Sequence, residues 1–478
     1  MSHLLLKRRQ AGSAMVLCTF LFILAALAPA RAGAVETVAA NTNQILNLDE
    51  CLKTAMEKSH FRPASRFAVA AAEAQHQQAL SGYWPQLNVK GAYQHLDESP
   101  NFVFPATTIP TPIGPFATPK QDIKLMDPDS VVASGSAVWL LYDGGMRRGY
   151  REQAQAGVDA AKQESRRTDL EITDSVKRMY YGSVLARQLH QLGKDTLARM
   201  EATLSLTETM YKDGGGKVTK ADFLDNKISV ETLRSMVAQL ERNEIMAQAA
   251  LANTMGLSWN ESIQPADQEI PFKPYAANLN EMVGAAYDFS PDWARLEAGI
   301  RAMDGAVRTA KSGHHPKLAL TGELHTWWNE YDAGVVSSRN RDGWAAGVVM
   351  ELPLFDGFLT RNRVKESEAR ASQIREQKFL LKEGLGLQVK DIFIGLEASR
   401  KSYQATLDAM KAAAENRDLN TRAYQNELVE TEKVIRAQLM EALMSAIHYK
   451  TRYDHVVLQS RLNLVVGTEI WKRLETSH

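Results

Sequence analysis

Residues 141–144 read Leu-Tyr-Asp-Gly, and residues 354–357 read Leu-Phe-Asp-Gly, at an offset of 213 positions. A longer match without a gap joins residues 48–87 to residues 279–318 at an offset of 231. The matching positions in the first copy are Leu48, Glu50, Ala55, Ser59, Ala79, Ser81, Gly82, Pro85 and Leu87. Matches that keep a constant offset over such distances indicate a tandem duplication of one structural unit.

Each copy is predicted to run helix, strand, loop, strand, long helix, turn and helix. The long helices are predicted at 144–211 and 357–424, two segments of 68 residues without proline, each about 100 Å long at 1.5 Å per residue. Helices of about half that length are predicted at 48–82, 222–256, 279–313 and 433–467. We therefore expect two short helices to stack end to end beside each long helix. The first repeat would then span 33–256, a mid-height connector 257–278, the second repeat 279–467 and a C-terminal tail 468–478.

Four segments alternate apolar and polar side chains, which is typical of strands with two different faces. They are predicted at about 86–96, 131–141, 317–328 and 344–354. In a membrane barrel with a polar interior, the apolar face with Leu87, Val89, Leu318 and Leu320 would lie against lipid. Tryptophan and tyrosine near the strand ends are typical of a membrane interface. The alternative is a soluble β-sandwich.

The loop between the first two strands, about 97–130, contains seven prolines. Because proline blocks ladder hydrogen bonds, the segment is predicted to be an irregular surface loop. Its counterpart in the second copy, about 329–342, is short and polar. Both loops lie at the same end of the strands, which we expect to be outside the cell.

Composition excludes several classes of protein. The 478 residues contain 56 basic and 56 acidic side chains, and the isoelectric point of about 7.2 argues against a nucleic-acid-binding surface. Two cysteines cannot supply a disulfide scaffold or a CxxC motif. Beyond the N-terminus, no segment has 18 consecutive apolar residues, so a membrane role would have to use strands.

The first 32 residues have the pattern of a secretory signal peptide. Lys7, Arg8 and Arg9 precede an apolar run at 14–28, and the sequence Ala30-Arg31-Ala32 predicts cleavage after Ala32. Leu17 stands before Cys18, where a lipoprotein site would need a small residue, so lipidation is not expected. The protein is therefore predicted to be exported.

Four strands cannot close a membrane barrel, since the smallest such barrels have eight. Open strand edges are not tolerated in lipid. The chain must therefore share a barrel with copies of itself: two copies would supply eight strands, and three would supply twelve. The polar strand face would line the pore, and the helices would continue the tube into the periplasm.

The segments Gly-Tyr-Trp-Pro-Gln-Leu at 82–87 and Leu-Tyr/Phe-Asp-Gly at 141–144 and 354–357 resemble the TolC-like outer-membrane factor family, over about 45–467. The resemblance implies a mainly α fold with a membrane β-barrel: a homotrimer with a 12-stranded barrel and an α-helical periplasmic tunnel. The implied function is the outer-membrane exit channel of a tripartite efflux pump or type I secretion system in a Gram-negative cell. The implied partners are a periplasmic adaptor (membrane fusion) protein, an inner-membrane transporter of the RND, ABC or MFS type, and outer-membrane lipid. The alternative is a periplasmic coiled-coil scaffold or adhesin without a transport role.

The family's two helix–turn–helix tips dock the adaptor and close the tunnel entrance. By resemblance, the docking positions here are Gly215, Gly216, Lys217, Val218, Leu428 and Val429. The family's tip glycine is replaced by Glu427. The family's acidic entrance pair falls on Lys433 and Arg436, and an arginine that locks the entrance falls on Val429.

The entrance residues predicted here are Asp222, Asp225, Tyr424, Lys433 and Arg436. Asp222 and Asp225 are three residues apart, as are Lys433 and Arg436, so each pair lies on one helix face. If both pairs face the axis, ion pairs between the repeats would close the tunnel, with Tyr424 hydrogen-bonded to Asp222. The alternative is that one pair points into solvent or packs along the helix flank.

Other sites are not supported by the sequence. Gly214–Gly216 with Lys217 and Thr219 lacks the order of a phosphate-binding loop. His314 and His315 have no further ligands at zinc spacing. Cys51 is expected to be packed or inert. No residues have the local arrangement that catalysis requires, so we expect neither an enzyme nor a cofactor.

Overall fold

Helix lengths reproduce the duplication in the computed structural model. The described residues are 44–125, 127–214, 218–274, 278–329 and 342–468. The first copy contains α1 Leu48–Lys58, α2 Phe61–Ser81, α3 Met146–Lys212 and α4 Lys220–Thr254. The second contains α5 Leu279–Phe289, α6 Pro291–Lys311, α7 Leu359–Gln425 and α8 Thr431–Val466. The first three helices have 11, 21 and 67 residues in both copies, and the last has 35 and 36.

Several predictions fall outside the described residues. They are the signal peptide at 1–32 with cleavage after Ala32, the tip residues Gly215, Gly216 and Lys217, most of the loop at 329–342, and the C-terminal tail 468–478 apart from its first residue. Among the helices that are described, none is long and apolar enough to cross a membrane.

The helix that begins each copy is interrupted, so the predicted unbroken helices at 48–82 and 279–313 are wrong. The chain is extended at Ser59 and at Ser290, both with φ −63° and ψ 125°. Pro291 explains the second break, because proline disfavours the helical conformation in the residue before it. Both copies start with the same capping box, made by Asn47 with Glu50 and by Asn278 with Glu281.

Four long strands form one antiparallel sheet. The strands of the chain are β1 Gln44–Leu46, β2 Gln86–His95, β3 Asn101–Phe104, β4 Thr107–Thr111, β5 Gly114–Thr118, β6 Gln121–Lys124, β7 Asp129–Tyr142, β8 Ile263–Pro265, β9 Lys317–Asn329 and β10 Asp342–Glu351. The sheet has the order β10-β9-β7-β2, so the two copies meet where β7 pairs with β9. Within the described residues, β2 and β10 each have one partner and one open edge.

The segment between β2 and β7 is not the irregular loop predicted from its prolines. It forms two short antiparallel ladders, β3 with β6 and β4 with β5. Pro110 lies directly opposite Pro115 in the second ladder. In a two-stranded ribbon every second N–H points away from the partner strand, so proline there removes no ladder bond.

The short helices stack end to end at mid-height, as their lengths predict. The end of α4 and the start of α1 share one buried cluster, which includes Leu251, Met255, Cys51 and Ala55. Gly256 has φ +81°, and a side chain there would place Cβ 2.5 Å from the Lys58 carbonyl oxygen, so only glycine fits this junction. Burial raises the pKa of the Cys51 thiol to about 12, which keeps it protonated and unreactive, as predicted.

Candidate functional site

The first tip joins α3 to α4 and is held by local contacts. Tyr211 and Phe223 stack with ring centroids 5.9 Å apart, one from each helix. The Asp222 carboxylate accepts hydrogen bonds from the Thr219 backbone N–H at 2.8 Å and from the Thr219 hydroxyl at 2.7 Å. Asp222 therefore caps its own helix, a role that the sequence analysis did not assign to it. Close by, Lys212 at 2.7 Å lowers the pKa of Glu208.

The second tip joins α7 to α8 through a tight helix end. The Leu428 N–H donates to the Ala423 carbonyl at 2.8 Å, and the Glu427 N–H donates to the Tyr424 carbonyl at 2.9 Å. This is a Schellman motif, whose key residue must adopt a left-handed conformation. Here that residue is Glu427, with φ +59°, while its counterpart in the first copy is Gly214, with φ +69°. The turn leaves the Leu428 side chain 77% exposed at the end of the molecule.

Tyr424 links the two copies, but not through Asp222 as predicted. Its hydroxyl lies 2.7 Å from the Thr207 hydroxyl on α3 and 3.1 Å from the Thr431 hydroxyl on α8. Asn226 on α4 donates its amide to the same Thr207 oxygen at 3.0 Å. Tyr424, Thr207 and Asn226 are all buried, so one hydroxyl network joins all four helices just behind the tips.

A second polar cluster lies next along the seam between α3 and α8. Glu441 accepts from Arg199 at 2.8 Å and pairs with Arg417 at 3.3 Å, so one buried carboxylate is shared by two guanidinium groups. Gln438 donates its amide to the Thr203 hydroxyl at 2.9 Å. A cavity of about 270 Å³ opens here between α3 and α7.

Sequence reasoning missed these residues because it looked for charges at the turns. Thr196, Met200, Thr203 and Thr207 follow one another at spacings of four, three and four on α3, which is the spacing of a coiled-coil stripe. Gln438, Glu441 and Ser445 continue the equivalent stripe on α8. Polar residues in positions that normally hold leucine were the signal that could have identified this seam.

The predicted entrance charges do not form ion pairs between the repeats within one chain. Asp225 and Lys433 are exposed, and Arg436 pairs with Glu432 on its own helix. In the described part of the chain, no ion pair joins Asp222 or Asp225 to Lys433 or Arg436. Val218 and Val429 are half-buried beside the turns.

The strand registers give the sheet one apolar and one polar face. Residues directly opposite in an antiparallel sheet point to the same side. Val89 lies opposite Gly135, Gly135 opposite Leu324, and Leu324 opposite Trp344. The same face carries Leu87, Tyr93, Trp139, Leu320, Trp328, Val348 and Met350. The other face carries most of the polar side chains, Gln86, Asn88, Lys90, Ser134, Ser136, Thr321, Glu323 and His325, together with Val132, Val138, Leu140, Trp327 and Val349.

Aromatic residues mark both ends of the apolar face. Tyr93 and Trp328 both lie opposite Val131 at the end near the β3–β6 ladder. Trp139 and Tyr142 lie near the helical end, where the Trp139 indole donates to the Tyr83 carbonyl at 3.1 Å. Between these two bands the apolar face carries aliphatic side chains and Trp344. Aromatic bands at both ends of an apolar strand surface are typical of membrane barrels.

Comparison with known proteins adds a family and a fold. The family model described as outer membrane efflux protein matches residues 63–257 and 283–442. Protein CyaE of Bordetella pertussis is 27% identical over 282 residues, which are 58% of this chain and 58% of CyaE. The match thus spans less than two thirds of that relative.

Solved structures match over nearly the whole length. A membrane protein from Pseudomonas aeruginosa aligns with a TM-score of 0.72 and 17% identity, over 92% of this chain and 97% of that one. The outer membrane protein VceC from Vibrio cholerae aligns with a TM-score of 0.70 and 16% identity, over 88% of this chain and 96% of VceC. At such identities the likeness shows a shared fold.

Proposed function

Because this chain belongs to the outer membrane efflux protein family, we propose that it is an outer-membrane exit channel and acts as a passive conduit for export. The observation that carries this proposal is the sheet. It has one apolar face bounded by aromatic bands, one polar face, and two edges that lack a partner in the described residues. Such a sheet can be stable in lipid only when closed into a barrel around water.

Closure needs further copies of the chain. All neighbouring strands in the order β10-β9-β7-β2 are antiparallel, so β10 of one copy would also meet β2 of the next in antiparallel orientation. The alternation therefore continues around a ring without interruption. Three copies give twelve strands, which agrees with the trimeric channels of this family.

The helices also have surfaces that would contact neighbouring copies in the same closed assembly. Helix α6 lies between α3 and α7, with ion pairs such as Arg308–Glu152 on one side and Arg375–Asp304 on the other. Helix α2 is the duplicate of α6, so α2 of one copy would pack on α7 of the next. The flanks concerned expose large apolar side chains: Phe61 74%, Phe67 73%, Leu380 73% and Leu387 69%. A helical tube below the barrel would bury them.

The tips form the entrance in this proposal. The Thr207–Tyr424 network holds α3, α4, α7 and α8 together, and the shared Glu441 carboxylate lies directly behind it. Asp222, Asp225, Lys433 and Arg436 would then narrow the opening between chains. The exposed Leu428 with Val218 and Val429 would dock a periplasmic adaptor, which in turn would connect the duct to an inner-membrane transporter.

Membrane fractionation tests the proposal. The full chain expressed in a Gram-negative host should appear in the outer-membrane fraction as a trimer that dissociates only on heating. When it is reconstituted in planar bilayers, it should conduct ions. Recovery as a soluble periplasmic protein without conductance would contradict the channel and support the scaffold alternative.

Conductance also tests the entrance. Tyr424→Phe removes the hydroxyl that contacts the buried Thr207 and Thr431 hydroxyls, at a cost of about 1 kcal/mol, and should raise the conductance of the resting channel. Lys433→Asp combined with Arg436→Asp should also raise conductance and shift selectivity toward cations. Tyr449→Phe, a change of the same type on α8 that is remote from the tip, is the matched control and should leave conductance unchanged. Wild-type conductance in both variants would remove these residues from the entrance.

A further inference from the structure

One row of the sheet brings two basic side chains to the same face. Lys90 on β2 lies directly opposite Ser134 on β7, which lies opposite His325 on β9, which lies opposite Gly343 on β10. A methyl group on Gly343 would lie 2.6 Å from the His325 imidazole, so the ring lies over this glycine and Gly343 makes room for it. Lys90 and His325 are both exposed.

Apart from His325, the charged side chains of the polar face balance one another. Its charged residues in the described strands are Lys90, Lys317, Glu323 and Glu351. Lys317 and Glu351 lie directly opposite each other at the helical end and compensate each other. Glu323 is two residues from His325 on the same strand and balances Lys90. The face is therefore neutral when His325 is neutral and positive when it is protonated.

Within the described residues of β7 and β10, no other titratable group faces the imidazole. On β7 the same face carries Val132, Ser134 and Ser136, and on β10 it carries Gly343 and Ala345. Asp342 lies opposite Thr326 and so points to the apolar side. Among the described strand residues, Glu323 and Lys90 are thus the charges that act on His325 across this face.

We infer that the row Lys90–Ser134–His325 forms a second charge-selective band, inside the barrel and separate from the entrance, and that it favours anionic cargo when His325 is protonated. The inference rests on the proposed function, because it requires the polar face to line the lumen. Histidine is the side chain type that changes its charge in the physiological pH range. In a threefold assembly each protonation is repeated three times around one level of the barrel.

The barrel is narrow enough for this charge to matter. Twelve strands spaced 4.8 Å apart and tilted by about 40° enclose a cylinder of about 12 Å radius at the backbone. Side chains reduce the open lumen further, and the Debye length is about 10 Å at 0.1 M salt. A permeating ion therefore stays within about one Debye length of the row.

Thiol modification at Ser134 tests the inference. Because the reagents are added outside the cell, they need not pass the periplasmic entrance. The Ser134→Cys variant places a thiol between Lys90 and His325, and the native Cys51 is fully buried. Anionic and cationic methanethiosulfonates of similar size are added outside cells, and the ratio of their rates is measured at pH 7.5 and 5.5. The ratio cancels the pH dependence of the thiol itself. One unit charge about 6 Å away in water should raise the anionic-to-cationic ratio by about threefold on acidification.

Second substitutions identify the group responsible. With His325→Gln added, the rise of the ratio on acidification should disappear. The control substitution His95→Gln removes an imidazole at the outer end of the apolar face and should leave the rise intact. Lys90→Gln should lower the ratio and Glu323→Gln should raise it at both pH values. A constant ratio in Ser134→Cys, or an equal rise with and without His325, would overturn the inference. Ser136→Cys serves in the same way if Ser134→Cys does not assemble.

A separate outcome concerns the proposed function. Ala133 lies on the opposite face of the sheet from Ser134. If the thiol of Ala133→Cys reacted with the reagents and that of Ser134→Cys did not, both the orientation of the sheet and the inference would be wrong. An outer-membrane trimer in which Ser134→Cys reacts, but with no effect of His325, would overturn the inference alone.

Discussion

At the scale of single residues, the second tip depends on a side chain in an unfavourable backbone conformation. Glu427 occupies a left-handed position where the first copy has Gly214. A side chain with a Cβ atom costs roughly 1–2 kcal/mol in this conformation. The turn is still formed, because two backbone hydrogen bonds close the helix end around it.

Glu427→Gly should therefore stabilise the second tip by about 0.5–1 kcal/mol, after allowing for the greater flexibility of glycine in the unfolded chain. Slower proteolysis at residues 425–430 of the purified trimer would measure the effect. Gln425→Gly is the matched control: Gln425 is the exposed last residue of α7, where glycine should destabilise by a similar amount. Faster cleavage of Glu427→Gly would show that contacts of the Glu427 side chain stabilise the turn by more than its left-handed conformation costs.

At the scale of elements, adjacent residues of one strand lie in opposite environments. Leu320 lies opposite both Trp139 and Val348 on the apolar face, and Thr321 lies opposite Val138 and Gly347 on the polar face. This difference follows from the period of two in a strand. The lipid-facing assignment of Leu87, Val89, Leu318 and Leu320 remains a prediction, and it can be tested by a pair of neighbouring substitutions.

Leu320→Arg should cost roughly 2–4 kcal/mol per chain if the residue faces the middle of the membrane, and should reduce the yield of trimer in the outer membrane. Thr321→Arg, one residue away, should assemble normally because its side chain would extend into water. The measurement is the amount of heat-dissociable trimer in outer-membrane fractions. Equal yields for the two variants would show that the faces are assigned incorrectly.

The ribbon between β2 and β7 is ordered but extends away from the sheet. Its residues 101–117 are all exposed, and Ile113 at the turn is 98% exposed. Deletion of about 104–118 should leave trimer yield and conductance unchanged, because no buried contact is lost. Loss of assembly would show that the ribbon packs on another copy at the barrel mouth.

At the scale of the whole molecule, the connector between the two copies packs against the helices of the second copy. Phe272 stacks on Tyr403 of α7 at 3.8 Å and lies 4.3 Å from the His455 ring of α8. The His455 Nε2 atom is 3.0 Å from the Lys273 carbonyl oxygen, and Nδ1 is 2.6 Å from the Ser399 hydroxyl. Burial lowers the pKa of His455, so the folded protein disfavours its protonation.

The folded protein should consequently lose stability on acidification. The unfolded chain binds a proton at histidine near pH 6.5, whereas folded His455 does so only at lower pH, so the free energy of unfolding falls as pH decreases below about 6.5. The loss is at most about 1.4 kcal/mol per chain and pH unit. The midpoint of thermal dissociation should decrease from pH 7.5 to 5.5, and less so in His455→Asn. The exposed His60→Asn is the control and should show the full decrease; an unchanged decrease in His455→Asn would exclude this residue as the cause.

The sequence by itself determined the duplication, the long helices and the two-faced strands, because constant offsets and the periods of helix and strand are local properties of the chain. It also located the two tips, since Tyr211 and Tyr424 are equivalent residues. Only the tertiary structure decided that Tyr424 bonds Thr207 and that Glu441 is shared by Arg199 and Arg417. The Tyr424–Thr207 and Glu441–Arg199 contacts join residues more than 200 positions apart, and their geometry depends on how α3 is aligned with α7 and α8. The same is true of the row Lys90–Ser134–His325, because the register between β7 and β9 is set by the pairing of the two copies and not by either strand alone.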